Sequence, residues 1–99
     1  MDDAGPSTLV MRVFTHPACG GCGNAVRAAW KLSEAHPEVA LRTVSLDNAD
    51  GLAEAHAAGI RTIPTLILDD GKAEIARWVG APSGDALEAA VREARRVAP

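Results

Sequence analysis

Two cysteines three positions apart, Cys19 and Cys22, are the residues of this chain whose types and spacing can carry chemistry. They are both of the cysteines in the 99 residues, and two glycines separate them. Helix signals run from Gly20 to about His36, so we expect Cys19 at the N-cap and Cys22 in the first turn. Unpaired N–H groups and the helix dipole stabilise a thiolate there, which is the reactive form of cysteine. The spacing predicts a dithiol that opens and closes by disulfide exchange.

The two sulfurs are expected to have different roles in that exchange. Cys19 is predicted to be the more exposed of the two, and therefore the nucleophile, whereas Cys22 is predicted to be the resolving thiol. Attack by Cys19 on a substrate disulfide gives a mixed disulfide, and Cys22 then releases the reduced substrate. We expect no cofactor and no metal in this reaction.

A histidine three residues before the pair leaves other possibilities open. When protonated, His16 could lower the pKa of Cys19 or carry its proton, or it could simply be a solvent-facing loop residue. His16, Cys19 and Cys22 could also supply three ligands to zinc or to an iron–sulfur cluster. The remaining histidines, His36 and His56, are expected at the surface of separate helical segments. A closed metal site would therefore need a fold that gathers them or a second chain.

Composition and charge exclude several classes of function. The apolar fraction of 47% and the charged fraction of 23% are those of an ordinary globular domain. A net charge of −3 gives no reason to expect nucleic-acid or acidic-lipid binding. No apolar run approaches the ~20 residues of a membrane span, and the acidic start lacks a secretory h-region. We expect a cytoplasmic monomer, and in that reducing compartment a vicinal cysteine pair is expected to be reactive or metal-bound rather than a structural staple.

The elements that position the dithiol follow the order β-α-β-α-β-β-α, which predicts one α/β domain over residues 9–99 after a flexible tail over 1–8. Asn48 or Asp47 is the expected N-cap of the second helix, and Ser83 that of the third. This order implies two right-handed crossovers and one hairpin. Strands are predicted over 9–14, 39–46, 64–68 and 74–79, and helices over 20–36, after Asn48 up to Gly59, and from Ser83 onward.

Residues 13–22 resemble the strand–loop–helix opening of the thioredoxin superfamily. Pro17, two residues before the first cysteine, is a feature of glutaredoxins and of small, glutaredoxin-sized thioredoxins. Residues 59–68, with Ile-Pro-Thr near their centre, are closer still to thioredoxin. So are Asp-Gly-Lys at 70–72 and Val-Gly-Ala at 79–81. Together these motifs span nearly the whole predicted domain, and they are far more specific than the cysteine spacing alone.

The resemblance implies a minimal thioredoxin fold, with a four-stranded mixed sheet in the order 2-1-3-4, strand 4 antiparallel and helices on both faces. It implies that Pro64 is cis and packs beside the dithiol, that the backbone of Ile63 pairs with bound substrate, and that Gly80 lies on the substrate rim. The implied function is a thiol–disulfide oxidoreductase that acts on protein disulfides and is recharged by an upstream disulfide reductase.

The chain departs from the family pattern close to the dithiol. Val13 and Ser45 match a buried Asp and its Lys partner, Ala18 matches the usual Trp, and Arg27 matches a helix-kinking Pro. The glutathione-binding Gly-Gly-x-Asp element of glutaredoxins is not reproduced after Val79, yet a glutathione-dependent enzyme stays an alternative. Glycine in place of the motif proline also occurs in glutaredoxins that share a cluster between chains. A non-enzymatic metal or cluster carrier and a non-redox interaction module are further alternatives.

Overall fold

The computed structural model describes residues 9–97, with side chains described for residues 9–95. The predicted tail over 1–8 lies outside the described residues, so its separation from the domain stays a prediction. The order of elements is the predicted one. The elements are β1 (Leu9–Thr15), α1 (Cys22–Ala35), β2 (Val39–Ser45), α2 (Ala49–Ala57), β3 (Thr65–Asp69), β4 (Glu74–Val79) and α3 (Gly84–Val97).

The four strands form one mixed sheet in the order β2-β1-β3-β4. β1 is parallel to β2 and antiparallel to β3, and β4 is antiparallel to β3. The predicted strand order and the antiparallel fourth strand are therefore confirmed. The expectation of two right-handed crossovers is wrong, because β3 does not run parallel to β1. Thr65 at the start of β3 and Val44 near the end of β2 both pair with Phe14, so the chain enters β3 from the end of the sheet at which it leaves β2.

One apolar cluster fills the space between the sheet and the pair α1 and α3. Side chains of a strand point alternately to its two faces, so every second residue of β1 enters this cluster. The buried residues of α1 and α3 recur at helical spacing along each helix, as expected for helices that pack one face on the sheet. The buried members are Leu9, Met11, Val13, Ala25, Ala29, Leu32, Val39, Leu66, Leu68, Leu87, Val91 and Ala94.

A smaller apolar cluster lies under α2 on the other face of the sheet. It consists of Phe14, Val44, Ala55 and Ile67. α2 begins where predicted, because the Asn48 side chain accepts a hydrogen bond from the Gly51 N–H at 2.7 Å. Helices on both faces of the sheet are thereby confirmed, with α1 and α3 on one face and α2 on the other.

The predicted N-cap of α3 also holds, but two side-chain expectations do not. Ser83 Oγ accepts from the Ala86 N–H at 3.1 Å at the start of α3. His36 is half-buried rather than at the surface, and its Nε2 lies 2.7 Å from Glu88 Oε1. Glu88 also lies four residues before Arg92, a spacing that predicts an ion pair along α3. It meets the histidine instead because α1 ends beside the first half of α3.

Candidate active site

Cys19 and Cys22 are joined in a disulfide at the end of the sheet where β1 leads into α1, with their Cα atoms 5.5 Å apart. α1 begins at Cys22, and its N-cap is Gly21, which contributes no side-chain cap. The prediction of Cys19 at the N-cap is therefore wrong by two residues. The Cys19 N–H donates to the His16 carbonyl at 2.9 Å, so Cys19 belongs to a turn that precedes the helix.

The two cysteines differ in burial as the sequence predicts. Cys22 retains 6% of its surface and lies on the face of α1 that enters the core, whereas Cys19 is half-exposed in the preceding turn. The first N–H groups of α1 have no carbonyl partner within the helix, and they lie at this disulfide together with the positive end of the helix dipole. The accessible sulfur is therefore next to a helix end that favours negative charge.

One side of the disulfide is formed by the loop before β3 and the residue after β4. The peptide bond between Ile63 and Pro64 is cis, and a Cβ added at Gly21 would lie 3.9 Å from Pro64 Cδ. The Gly80 N–H donates to the Pro64 carbonyl at 2.8 Å, and Gly80 has a φ of +90°, which glycine adopts without strain. The structure thus brings Ile63, Pro64 and Gly80 to the cysteine motif.

The other side of the disulfide is an open groove of about 540 Å³ between the start of α1 and the ends of β1 and β2. Val13, which replaces the family's Asp, is fully buried in the larger apolar cluster. Arg27 contributes to the lining of the groove, and its Nη2 donates to Asn24 Oδ1 at 2.6 Å. The groove is lined by Thr15, His16, Pro17, Cys19, Cys22, Gly23, Val26, Arg27 and Ser45.

His16 lies in this groove, and its ring makes a defined hydrogen bond. Nδ1 accepts from the Ala18 N–H at 3.0 Å, so the proton of a neutral ring is on Nε2. Within residues 9–97, no group of three or more His, Cys, Asp or Glu side chains is arranged to hold a metal ion. The three-ligand alternative built on His16, Cys19 and Cys22 therefore finds no support in this geometry.

The charged pairs that shift pKa values lie elsewhere in the molecule. The hydrogen bond from Arg42 lowers the pKa of Glu54 on the α2 face. The backbone N–H groups of Ala73 and Lys72 lower the pKa of Asp70 in the β3–β4 turn. These groups stabilise turns and elements of the scaffold and do not contact the disulfide.

Sequence reasoning did not identify the groove. Arg27 and Ser45 stand out in the sequence only as departures from a family pattern. No pattern in the sequence predicts that Thr15 and Val26 line a groove. One usable signal was present in the sequence: Gly23 and Arg27 are four residues apart and so share a face of α1. The contribution of β2 to the groove follows from the parallel pairing of Thr15 with Ser45, which local pattern does not show.

Comparison with known proteins agrees with this architecture. A family model described as Thioredoxin matches residues 3–95. A probable thioredoxin of Archaeoglobus fulgidus is 31% identical over 62 residues, which are 63% of this chain and 67% of that protein. No helix in the described part of the chain combines the length and the apolar character needed to cross a membrane.

Solved structures of thioredoxins superimpose on most of the chain. Thioredoxin f2 of Chlamydomonas reinhardtii has a TM-score of 0.74 and 27% identity, covering 91% of this chain and 82% of its own. The Malassezia sympodialis thioredoxin has a TM-score of 0.73 and 27% identity, covering 90% and 76%. With its fold and its paired cysteines, this chain belongs to the thioredoxin family and is a thioredoxin-like oxidoreductase.

Proposed function

We propose that this protein reduces disulfides of other proteins through Cys19 and Cys22, with Cys19 as nucleophile and Cys22 as resolving thiol. The observation that carries the proposal is the disulfide itself, formed between a half-exposed and a buried cysteine at the start of α1. An attacking thiolate must reach a bulky partner, and Cys19 is the one that solvent reaches.

The exchange proceeds in two steps. The Cys19 thiolate attacks one sulfur of the substrate disulfide, forms a mixed disulfide and expels the other substrate sulfur as a thiolate, which takes a proton from water. The Cys22 thiolate then attacks Cys19 Sγ, closes the Cys19–Cys22 disulfide and expels the second substrate sulfur. Two electrons pass from the protein to the substrate, and the protein is left in the disulfide form that the structure describes.

Deprotonation of Cys22 has to occur without a buried carboxylate base beneath it. Val13, fully buried, occupies the position where the family has an Asp. The proton is therefore proposed to leave toward the groove and to pass to water. The positive end of α1 stabilises the thiolate that remains.

The substrate chain is proposed to lie across Pro64. Ile63 precedes the cis peptide bond and is half-buried, so its backbone is available to pair with an extended segment beside Cys19. Gly80 follows the edge strand β4, and its lack of a side chain leaves the approach open. A cytoplasmic monomer recharged by a disulfide reductase is the setting that we propose for this cycle.

The proposal is tested by reduction of insulin disulfides with dithiothreitol as electron donor. The wild type is expected to accelerate the reaction, whereas Cys19→Ser is expected to lose at least about 99% of the acceleration, because the attacking thiolate is gone. A Cys19→Ser protein as active as the wild type would remove the mechanism. Replacing dithiothreitol by glutathione and glutathione reductase separates the glutathione-dependent alternative, which predicts turnover under those conditions.

A further inference from the structure

Arg27 lines the groove that contains Cys19, and among the described residues no carboxylate oxygen lies within 4 Å of its nitrogens. Its described partner is the side-chain amide of Asn24, a neutral acceptor. By contrast, the other paired arginines each lie within 4 Å of a carboxylate oxygen. Those arginines are Arg12, Arg42, Arg77 and Arg95.

The course of α1 brings the guanidinium toward the cysteines. Side chains of a helix lean toward its N-terminus, so Arg27 extends over the turn that contains Gly23. Gly23 has no side chain, and a Cβ added there would meet nothing within 4 Å. Arg27, Gly23 and Cys19 consequently line the same open groove. The bond to Asn24 holds the guanidinium in place and leaves other N–H donors for a partner.

The described carboxylates near the groove do not form an ion pair with the Arg27 guanidinium. Asp47 accepts a hydrogen bond from Ser45 Oγ at 2.6 Å, on the β2 side of the groove. Asp85 and Glu88 line the separate cleft between α1 and α3, which Arg27 also borders. Within the described residues neither of them lies within 4 Å of an Arg27 nitrogen, and Glu88 pairs with His36.

We propose that Arg27 is a specificity residue for the reaction of Cys19, and that it binds an acidic side chain next to the disulfide of the protein substrate. This inference rests on the proposed function and narrows its substrate class to acidic cysteine-containing segments. A guanidinium binds a carboxylate through two parallel hydrogen bonds, which fixes orientation as well as charge. Because the contact would be exposed to solvent, it should raise the association rate and the preference for acidic substrates more than it raises the affinity.

The test uses two synthetic peptides with the same internal disulfide, flanked on both sides by glutamates in one and by glutamines in the other. The wild type is expected to reduce the glutamate peptide with a kcat/KM about three- to fivefold higher, as fits one exposed ion pair. In Arg27→Gln this ratio is expected to fall to about one. Raising salt from 0.1 M to 1 M, where screening shortens from ~10 Å to ~3 Å, should lower the wild-type ratio toward one.

Two variants provide controls on the same helix. Lys31→Gln removes a cation that lines the α1–α3 cleft but not the groove, so it should keep the preference. Arg27→Lys keeps the positive charge but loses the planar guanidinium, so it should keep part of the preference for the glutamate peptide. A preference that persists in Arg27→Gln, or a wild type that reduces both peptides equally, would overturn the inference alone. A wild type that reduces neither peptide nor insulin would overturn the proposed function with it.

Discussion

The arginine in the groove beside the disulfide and the arginines on the α2 face of the sheet have different hydrogen-bond partners. On the α2 face, Glu54 accepts hydrogen bonds from both Arg12 and Arg42, at distances of 2.6 to 3.0 Å. Arg12 also donates from Nε to Asp69 at 3.2 Å. Arg27, which lines the groove, bonds to the neutral side-chain amide of Asn24. Among the described residues, the arginines of the α2 face are thus paired with carboxylates, whereas Arg27 is not.

The neutralised network has a structural reason. α2 is short and covers only the cluster around Phe14, so the next part of the central strand β1 needs other cover. Arg12 supplies it, with its guanidinium carbon 5.4 Å from the centre of the Phe14 ring and its head paired with Glu54 of α2 and Asp69 of β3. Long charged side chains can cover apolar surface in this way while their heads stay partly in water.

The largest effect should come from Cys22→Ser, which changes the groove and leaves the network intact. We expect disulfide turnover to fall below about 1% of wild type, because a mixed disulfide on Cys19 then has no second thiolate to resolve it. Mass spectrometry of the protein incubated with a peptide disulfide should show a stable adduct on Cys19. The matched Cys19→Ser protein should show none. An adduct on Cys22 of that second variant would reverse the assigned roles.

A smaller effect is expected on the α2 side from Gly51→Ala. A Cβ at this helical glycine would overlap the backbone carbonyl of Ser45, so α2 would have to move away from β2. We expect a loss of about 1–3 kcal/mol in the free energy of unfolding by urea, although alanine is the better helix former by about 1 kcal/mol. The control is Gly84→Ala at the start of α3, where a Cβ meets nothing within 4 Å and stability should not fall. Equal stability of both variants would contradict the docking of α2 on β2.

The smallest of the three effects is expected from Glu54→Gln, which removes the carboxylate at the centre of the network. Hydrogen bonding from Arg42 lowers the pKa of Glu54 below its ordinary value of 4.5, so its stabilisation is present above that pH and is lost as the pH falls through the lower folded-state pKa. We expect the variant to lose about 1 kcal/mol in the free energy of unfolding at pH 7, and less below pH 4.5. Urea unfolding at several pH values measures this loss. Glu34→Gln, an exposed carboxylate on α1, should show no such pH-dependent gap; a cost that stays constant with pH would contradict the network.

Much of the scaffold could be predicted from the sequence because the signals are local. The apolar spacing of Ala25, Ala29 and Leu32 predicts the buried face of α1, and Asn48 and Ser83 predict two helix starts. Helical periodicity and N-capping depend on residues within one or two turns of each other, so they can be predicted without knowledge of the fold. The predicted N-cap of α1 is wrong by two residues because the two glycines give no side-chain cap to mark the start of the helix.

Taken alone, the sequence determined the dithiol, the order of elements and the faces that they bury, since each depends on neighbouring residues. The tertiary structure decided the direction of β3, the pairing of His36 with Glu88 and that of Arg12 with Asp69. These contacts join residues 52 and 57 positions apart in the chain. It likewise decided that Arg27 and Cys19 share one groove. Which distant side chains meet depends on how helices pack across the sheet, and no local pattern encodes that.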